Sequence, residues 1–287
     1  MIGDRIARLA RRLVRAATYQ AMVAPAIADL QHETRRGRVA HLRGYAGVAR
    51  ALVGAGIDDL CVDWRQTFTG PPVRRAARVA AAVIVLQNVL FFAMWRFDPR
   101  ESPAAFILLL PATILSAWPA AMLPAAAIVS RRRGRAAKRA VLSASIASGV
   151  ILLAVADQGV TRTNQQFRET IFAARGGTGP LGRGTQERTV RELWNDDGRE
   201  ARTSLHLRLT VPVSTAAWAL LGLSVARASG VVIGATAAAG YAFFLLSPFL
   251  APADFAATLP VWSPWIPVAL LLALASATQR VYVQRAS

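Results

Sequence analysis

The stretch SRRRGRAAKR, residues 130–139, contains five arginines and one lysine and lies between two apolar runs. Short loops rich in Lys and Arg stay on the cytoplasmic side of a membrane, because their charges resist translocation. We therefore expect this loop to be cytoplasmic. The direction of each apolar segment on either side of it follows from that placement.

The composition indicates a membrane protein. The chain has 287 residues, of which 54% are hydrophobic and 17% are charged. Several apolar segments have the roughly 17–25 residues that a helix needs to cross about 30 Å of hydrocarbon. The net charge of +18 is spread over the flanks of these segments. That distribution favours contact with anionic lipids over binding to nucleic acid.

The pattern predicts an all-α, polytopic membrane protein with six transmembrane helices in a 3+3 arrangement. Residues 78–158 contain helices at about 79–95, 103–129 and 140–156, and residues 209–287 contain helices at about 209–226, 230–250 and 265–278. A periplasmic loop with a short helix, residues 159–208, separates the two groups. With the basic loop inside, both termini are cytoplasmic. The expected location is the inner membrane of a bacterium.

Residues 1–77 are predicted to form a small cytoplasmic region of helices, in which Gly70, Pro71 and Pro72 are the linker that leads into the membrane. Its first helix is basic and amphipathic, and either an anionic membrane surface or a small helical core could take its apolar side. Asp58, Asp59 and Asp63 resemble metal ligands in their spacing. Without a second cluster, a solvated helix face is the favoured interpretation of these aspartates.

Polar residues and prolines within the spans predict contacts between helices. Gln87 and Asn88 lie near the middle of the first span and are expected to face another helix rather than lipid. The second span contains Pro111, Pro119 and Pro124, which predict kinks or a broken helix. The third span is rich in small residues, as close packing between helices requires.

The periplasmic loop is predicted to contain one short helix. The segment TQERTVRELW, residues 185–194, predicts a short helix with ion pairs at i, i+4 between Glu187 and Arg191 and between Arg188 and Glu192.

The patterns GxxxxGK[ST], HExxH and GxSxG do not occur, and Cys61 is the sole cysteine. We therefore predict no enzyme activity, no cofactor and no metal site.

Three stretches resemble a known family. They are LHLRLTVPVSTAAWALLGLSVARASGVVIGATAAAGYAFF (205–244), LPVWSPWIPVALLLALA (259–275) and LLLPATILSAWPAAMLPAAAIVSRRRGRAAKRAVLSASIASG (108–149). Together with the 3+3 layout, they are similar to the LptF/LptG-type permeases of the lipopolysaccharide export transporter over about residues 79–280. The family places a β-jellyroll between its third and fourth helices, whereas residues 161–207 are too short and too rich in glycine to build one.

The resemblance implies a specific mechanism. Two permeases, as a homodimer or with a second permease subunit, would enclose a cavity, and a cytoplasmic ABC ATPase subunit would drive the export of an amphipathic anionic lipid. Arg96 and Arg100 would bind the lipid head group, because guanidinium binds phosphate in a bidentate manner. The loop that couples to the ATPase would consist of Arg131, Arg132, Arg133, Arg135, Lys138 and Arg139.

A second interpretation stays open at this point. The absent jellyroll and the additional domain at residues 1–77 are typical of a membrane-anchored scaffold or regulatory protein. In that case the basic N-terminal domain would recruit partners or anionic lipids. The kinked second span and the polar residues Gln87 and Asn88 favour transport instead.

Overall fold

A computed structural model describes residues 2–33, 38–94, 107–131, 134–178, 181–184, 187–226, 232–233, 236 and 260–284. Throughout these residues the regular structure is helical, and none of them lies in a β-strand. The chain divides into two compact units, Met1–Thr69 and Gly70–Ser287. Each unit is described separately below.

Unit 1 consists of packed helices. These are α1 (Ile2–Leu13), α2 (Ala16–Thr18), a π-helical turn (Tyr19–Val23), α3 (Ala24–Glu33) and α4 (Arg38–Thr67). Ala10 and Val14 lie one helical turn apart at the end of α1 and are buried against the other helices. Their partners in this core are Tyr19, Val23, Ile27, Leu30, Val48 and Ala55. The unit therefore has a hydrophobic core of its own.

The linker predicted at residues 70–72 is shorter than expected. Gly70 has a φ of +88°, a left-handed conformation that favours glycine. The next helix, α5, begins at Pro71 and ends at Met94. Prolines are tolerated in the first turn of a helix, since the N–H groups there have no partner within the helix. The first apolar helix thus starts at Pro71, ahead of the predicted position 79.

Unit 2 contains the long apolar helices. They are α5, α6 (Leu110–Ser130), α7 (Arg135–Val155), α8 (Thr161–Ala174), α9 (Val190–Trp194), α10 (Arg199–Ser224) and α11 (Trp265–Gln284). A π-helical turn, Ala156–Val160, joins α7 to α8 without a break in the helix. Of the kinks or break predicted for the second span, the break does not occur: α6 runs through the buried residues Pro119 and Pro124 as one helix.

Four helices within the described residues are long and apolar enough to cross a membrane. They cover Pro71–Ala93, Ile107–Ser130, Ala136–Ala174 and Arg199–Ser224. A shorter apolar helix covers Trp265–Gln279. The predicted fifth span, residues 230–250, lies almost wholly outside the described part of the chain. Unit 2 is therefore a helical bundle whose composition suits a membrane.

Helix α10 lies at the centre of this bundle and packs against α6, α7, α9 and α11. Trp218 of α10 is almost fully buried, in the same cluster as Leu123 of α6 and Leu271 of α11. Two glycines permit the closest approaches. A Cβ added at Gly222 would meet the carbonyl oxygen of Leu123, and one at Gly149 of α7 would lie 2.6 Å from the Cα of Pro212. The close packing predicted for the third span is confirmed.

Candidate functional site

The basic turn, Arg131–Arg139, connects α6 to α7. Arg131 is the C-cap residue of α6, and Gly134 is the N-cap residue of α7. The side chains of Arg131, Lys138 and Arg139 are exposed. Arg135 is the first residue of α7, and Arg132 and Arg133 lie outside the described residues. The described part of the turn is thus a positively charged surface at the junction of two packed helices.

Helix dipoles act differently on the two halves of the basic turn. Cations near the C-terminus of a helix are stabilised, which suits Arg131 at the end of α6. Cations near the N-terminus of a helix are disfavoured by the dipole, and the exposed Lys138 lies four residues after Gly134, the N-cap residue of α7. An anionic partner at the N-terminus of α7 would be attracted both by the dipole and by the side chains.

The side of the basic turn that faces the bundle is formed by buried alanines. Ala137 and Ala140 are buried, while Lys138 and Arg139 lie between them on the exposed side of α7. A helix has 3.6 residues per turn, so alanines three residues apart lie on one face and fix the direction of the cations. A partner that contacts these cations would therefore contact the outer side of a helix whose inner side is packed in the bundle.

Gln87 and Asn88 contact another helix, as predicted. Gln87 Nε2 donates to Ser116 Oγ at 3.1 Å, and Asn88 Oδ1 accepts from Thr113 Oγ1 at 2.5 Å. Asn88 Nδ2 also donates to the carbonyl oxygen of Ile84 in its own helix, at 2.8 Å. Both side chains are buried between α5 and α6. These bonds hold the two helices in register where water cannot compete for the polar groups.

The other side of α5 has little protein around it. Val85, Leu86, Val89 and Leu90 are exposed, and 11% of the apolar window of α5 is buried, compared with 44% for α10. In the described bundle the main contacts of α5 are with α6. Helix α5 is accordingly an edge helix, with a polar face inward and an apolar face outward.

The segment between α8 and α10 contains a network of charged groups that sequence reasoning did not find. Glu187 is 2% exposed, and Arg168 Nη1 donates to both of its carboxylate oxygens, to Oε1 at 2.7 Å and to Oε2 at 2.9 Å. Glu192 binds Arg183 at 2.7 Å, and Arg188 binds Asp196 at 2.7 Å. The predicted i, i+4 pairs are wrong, because the α-helix begins only at Val190 and residues 187 and 188 precede it.

Glu192 also caps the short helix α9. The side chains of Thr189 and Glu192 bind each other's backbone N–H groups, which forms a capping box. The hydrogen bonds from Thr189, followed by that from Arg183, lower the pKa of Glu192 to about 2. The pKa of Asp196 is also lowered, first by the backbone N–H of Gly198. The pattern Thr-x-x-Glu was the sequence signal for this cap.

Asp157 and His206 join the ends of the long helices. The Asp157 carboxylate accepts a hydrogen bond from the backbone N–H of Val190 and lies 3.3 Å from Arg208 Nη1 on α10. Trp265 Nε1 at the start of α11 donates to His206 Nδ1 on α10 at 3.1 Å. The charged groups of this region bind one another. The contacts of Asp157 and His206 stabilise the junction between these helices.

The aspartates of unit 1 are not on a solvated face, which corrects the prediction for two of the three. Asp58 is exposed, but Asp59 and Asp63 are almost completely buried. Asp59 accepts hydrogen bonds from the backbone N–H of Arg15 and from Thr18 Oγ1, both at 2.6 Å, and Asp63 binds the Arg15 guanidinium. An anion at the N-terminus of α2 is stabilised by the helix dipole. Across the described residues, no group of three or more His, Cys, Asp or Glu could hold a metal ion.

Arg96 and Arg100, the predicted lipid head-group ligands, lie outside the described residues. No protein-family model matches the chain, and no curated protein matches it significantly.

Proposed function

We propose that the protein is a permease-like subunit of an ABC-type exporter that moves an amphipathic anionic lipid. It would lie in the bacterial inner membrane with six spans and both termini in the cytoplasm, and its ATPase would be a separate chain. The basic turn carries this proposal, since Arg131, Lys138 and Arg139 are exposed at the junction of α6 and α7. Such a surface is suited to an anionic partner.

Two further features support the proposal. The edge helix α5 exposes an apolar face, which is suited to pairing with a second permease subunit or with another copy of this chain. Arg96 and Arg100 follow α5 in the sequence and would bind the anionic head group of the lipid. In this mechanism the ATPase contacts the basic turn, and α6 and α7 transmit the motion to the rest of the bundle.

The test is co-purification of the tagged full-length protein from membranes in mild detergent. We expect near-stoichiometric recovery of a P-loop ATPase from the native host. The variant Arg131→Gln/Lys138→Gln/Arg139→Gln should lose this subunit. The matched control, Arg131→Lys/Arg139→Lys, keeps every positive charge and hence the membrane orientation, and it should retain the subunit.

Two results would contradict the exporter proposal. One is recovery of the protein without any ATPase. The other is equal recovery of the ATPase with the Gln variant, provided that cysteine-accessibility labelling shows the same membrane orientation. Lipid bound to the purified protein gives a separate readout, because Arg96→Gln/Arg100→Gln should reduce the amount of co-purifying anionic lipid without loss of the ATPase.

A separate observation supports the alternative function, that of a membrane-anchored scaffold or regulatory protein. Unit 1 has its own core, and α1 presents Arg5, Arg11 and Arg12 on its exposed side. A regulatory protein would recruit its partners through this unit. Charge reversal with Arg5→Glu/Arg12→Glu would then remove the co-purifying proteins, while the Gln variant of the basic turn would leave them bound.

A further inference from the structure

Helix α4 has a second apolar face in addition to the one that it buries in the core of unit 1. We call this face the α4 stripe, and it consists of Leu42, Ala46, Ala49, Val53, Ile57, Leu60 and Trp64. Leu42 is 70% exposed, Val53 63% and Ile57 55%. By contrast, Val48 and Ala55 of the same helix are buried in the core. The α4 stripe is therefore separate from the surface that folds the unit.

The spacing of the α4 stripe keeps it on one side of the helix. Leu42, Val53 and Trp64 are eleven residues apart (53 − 42 and 64 − 53), as are Ala46 and Ile57 (57 − 46). A repeat of eleven residues over three turns is about 3.67 residues per turn, close to that of a straight α-helix. The stripe therefore runs straight for about 33 Å, at 1.5 Å per residue. Such a line of apolar side chains is suited to a flat apolar surface.

Positive charge borders the α4 stripe. Arg43 and Arg50 are exposed. Successive residues are 100° apart around the helix axis, so these two arginines lie about 70° from the middle of the stripe. The acidic residue Asp58 lies on the far side, about 140° away. Helix α1 has a similar arrangement, with Leu9 and Leu13 exposed beside Arg5 and Arg12. Apolar residues bordered by arginine are typical of helices that lie in the interface of an anionic bilayer.

The chain itself supplies a bilayer nearby. Helix α4 ends at Thr67, and the membrane-suited helix α5 begins at Pro71. A tether this short makes binding of the unit to the same membrane effectively intramolecular, at high local concentration. Trp64 and Phe68 stack edge to face at the tethered end of α4. Aromatic side chains of this kind prefer the interface between membrane and water.

We propose that the α4 stripe lies on the surface of an anionic phospholipid bilayer, the one that holds the chain's own spans. The apolar side chains enter the boundary between head groups and acyl chains, and Arg43 and Arg50 bind the lipid phosphates. A second copy of the chain is the less favourable occupant, because antiparallel pairing of two stripes would place the arginine borders of both on the same side. This inference requires one membrane span only and does not depend on the exporter proposal.

The test measures the depth of a fluorophore in the full-length protein. A cysteine is introduced by Ile57→Cys in the Cys61→Ser background, labelled with NBD, and the protein is reconstituted at one copy per nanodisc. The matched control is Asp58→Cys in the same background, the adjacent residue on the polar side. The discs contain phosphatidylcholine alone or mixed with phosphatidylglycerol, with doxyl-labelled lipid as the quencher.

We expect blue-shifted emission and strong doxyl quenching for the dye at position 57 in discs with phosphatidylglycerol, and weak quenching for the dye at position 58. The addition of Arg43→Gln/Arg50→Gln should lower the equilibrium constant for surface binding about 30-fold, because each arginine near an anionic surface contributes about 1 kcal/mol. Circular dichroism of each variant checks that the helices remain folded.

Three results would overturn this proposal. In the first, the dye at position 57 is as exposed to water as the dye at position 58. In the second, its emission is blue-shifted without doxyl quenching, which would mean that protein covers the stripe. In the third, quenching is equally strong without phosphatidylglycerol, which would remove the role of the arginines.

Discussion

Replacement of Gly222 by alanine tests the packing at the centre of unit 2. The added Cβ would meet the carbonyl oxygen of Leu123 and lie 3.0 Å from the Cβ of Ala126. Both residues of α6 are buried, and a backbone carbonyl cannot rotate away as a side chain can. Relief therefore requires that α6 and α10 move apart.

The size of the effect follows from two opposing terms. Overpacking of a close contact costs about 1–3 kcal/mol. Alanine gains up to about 1 kcal/mol over glycine in the interior of a helix. Because the clash involves backbone, we expect the upper part of the range and a net loss of about 1–2 kcal/mol. For a unit of this size, that loss lowers the thermal midpoint by about 2–8 °C.

The assay is thermal unfolding of the purified protein in detergent, followed by tryptophan fluorescence. Trp218 is a suitable probe, because it is buried one helical turn before Gly222. The matched control is Gly159→Ala, since the nearest atom to its added Cβ is Val155 Cγ1 at 4.0 Å. We expect the control to leave the midpoint unchanged or to raise it. Equal midpoints for the Gly222→Ala protein and the wild type would refute the packing argument, as would an equal fall in the control.

Three further predictions concern polar contacts in the same unit. Asn88→Leu should lower the stability measured in this assay by about 0.5–2 kcal/mol, because it removes the hydrogen bond from Thr113 that joins α6 to α5, whereas Leu86→Ala on the exposed side of α5 should have a smaller effect. Arg168→Gln should destabilise the segment between α8 and α10 more than Arg202→Gln does, since it leaves the carboxylate of Glu187 buried without its cation; equal effects would contradict the role of the buried pair. The pKa of Glu192 lies at about 2, below its ordinary 4.5, so its stabilising contribution is complete above pH 4.5 and is lost as the pH falls towards 2. Glu192→Gln should remove that part of the acid dependence in a pH series of unfolding midpoints, and an unchanged curve would show that the capping box contributes nothing.

Local chemistry explains which features could be predicted from the sequence. The apolar helices depend on the composition of about twenty consecutive residues, so four of them agree with predicted spans. The contacts of Gln87 and Asn88 were predictable, since polar side chains within a membrane require partners. The start of α5 at Pro71 was missed because proline interrupts a helix in its interior but is tolerated in its first turn.

Partners distant in the sequence could not be predicted in this way. The pairs expected at i, i+4 near α9 depended on a helix that included residues 187 and 188, and the helix that forms is five residues long. Outside a helix, spacing in the sequence no longer determines which charges meet. Glu187 instead binds Arg168, nineteen residues earlier, across the turn after α8.

The burial of Asp59 and Asp63 shows why charge alone misleads in a chain so rich in arginine. A buried carboxylate is tolerated only with a hydrogen-bonding or charged partner, and any of the many arginines could supply the charge. The partner is Arg15, forty-four residues before Asp59. The guanidinium of Arg15 binds Asp63, and its backbone N–H, at the N-terminus of α2, donates to Asp59. Tyr19 and Val23, which directly follow α2, are buried in the core of unit 1. The ion pair is thus a consequence of the fold, and no local pattern around Asp59 could have indicated it.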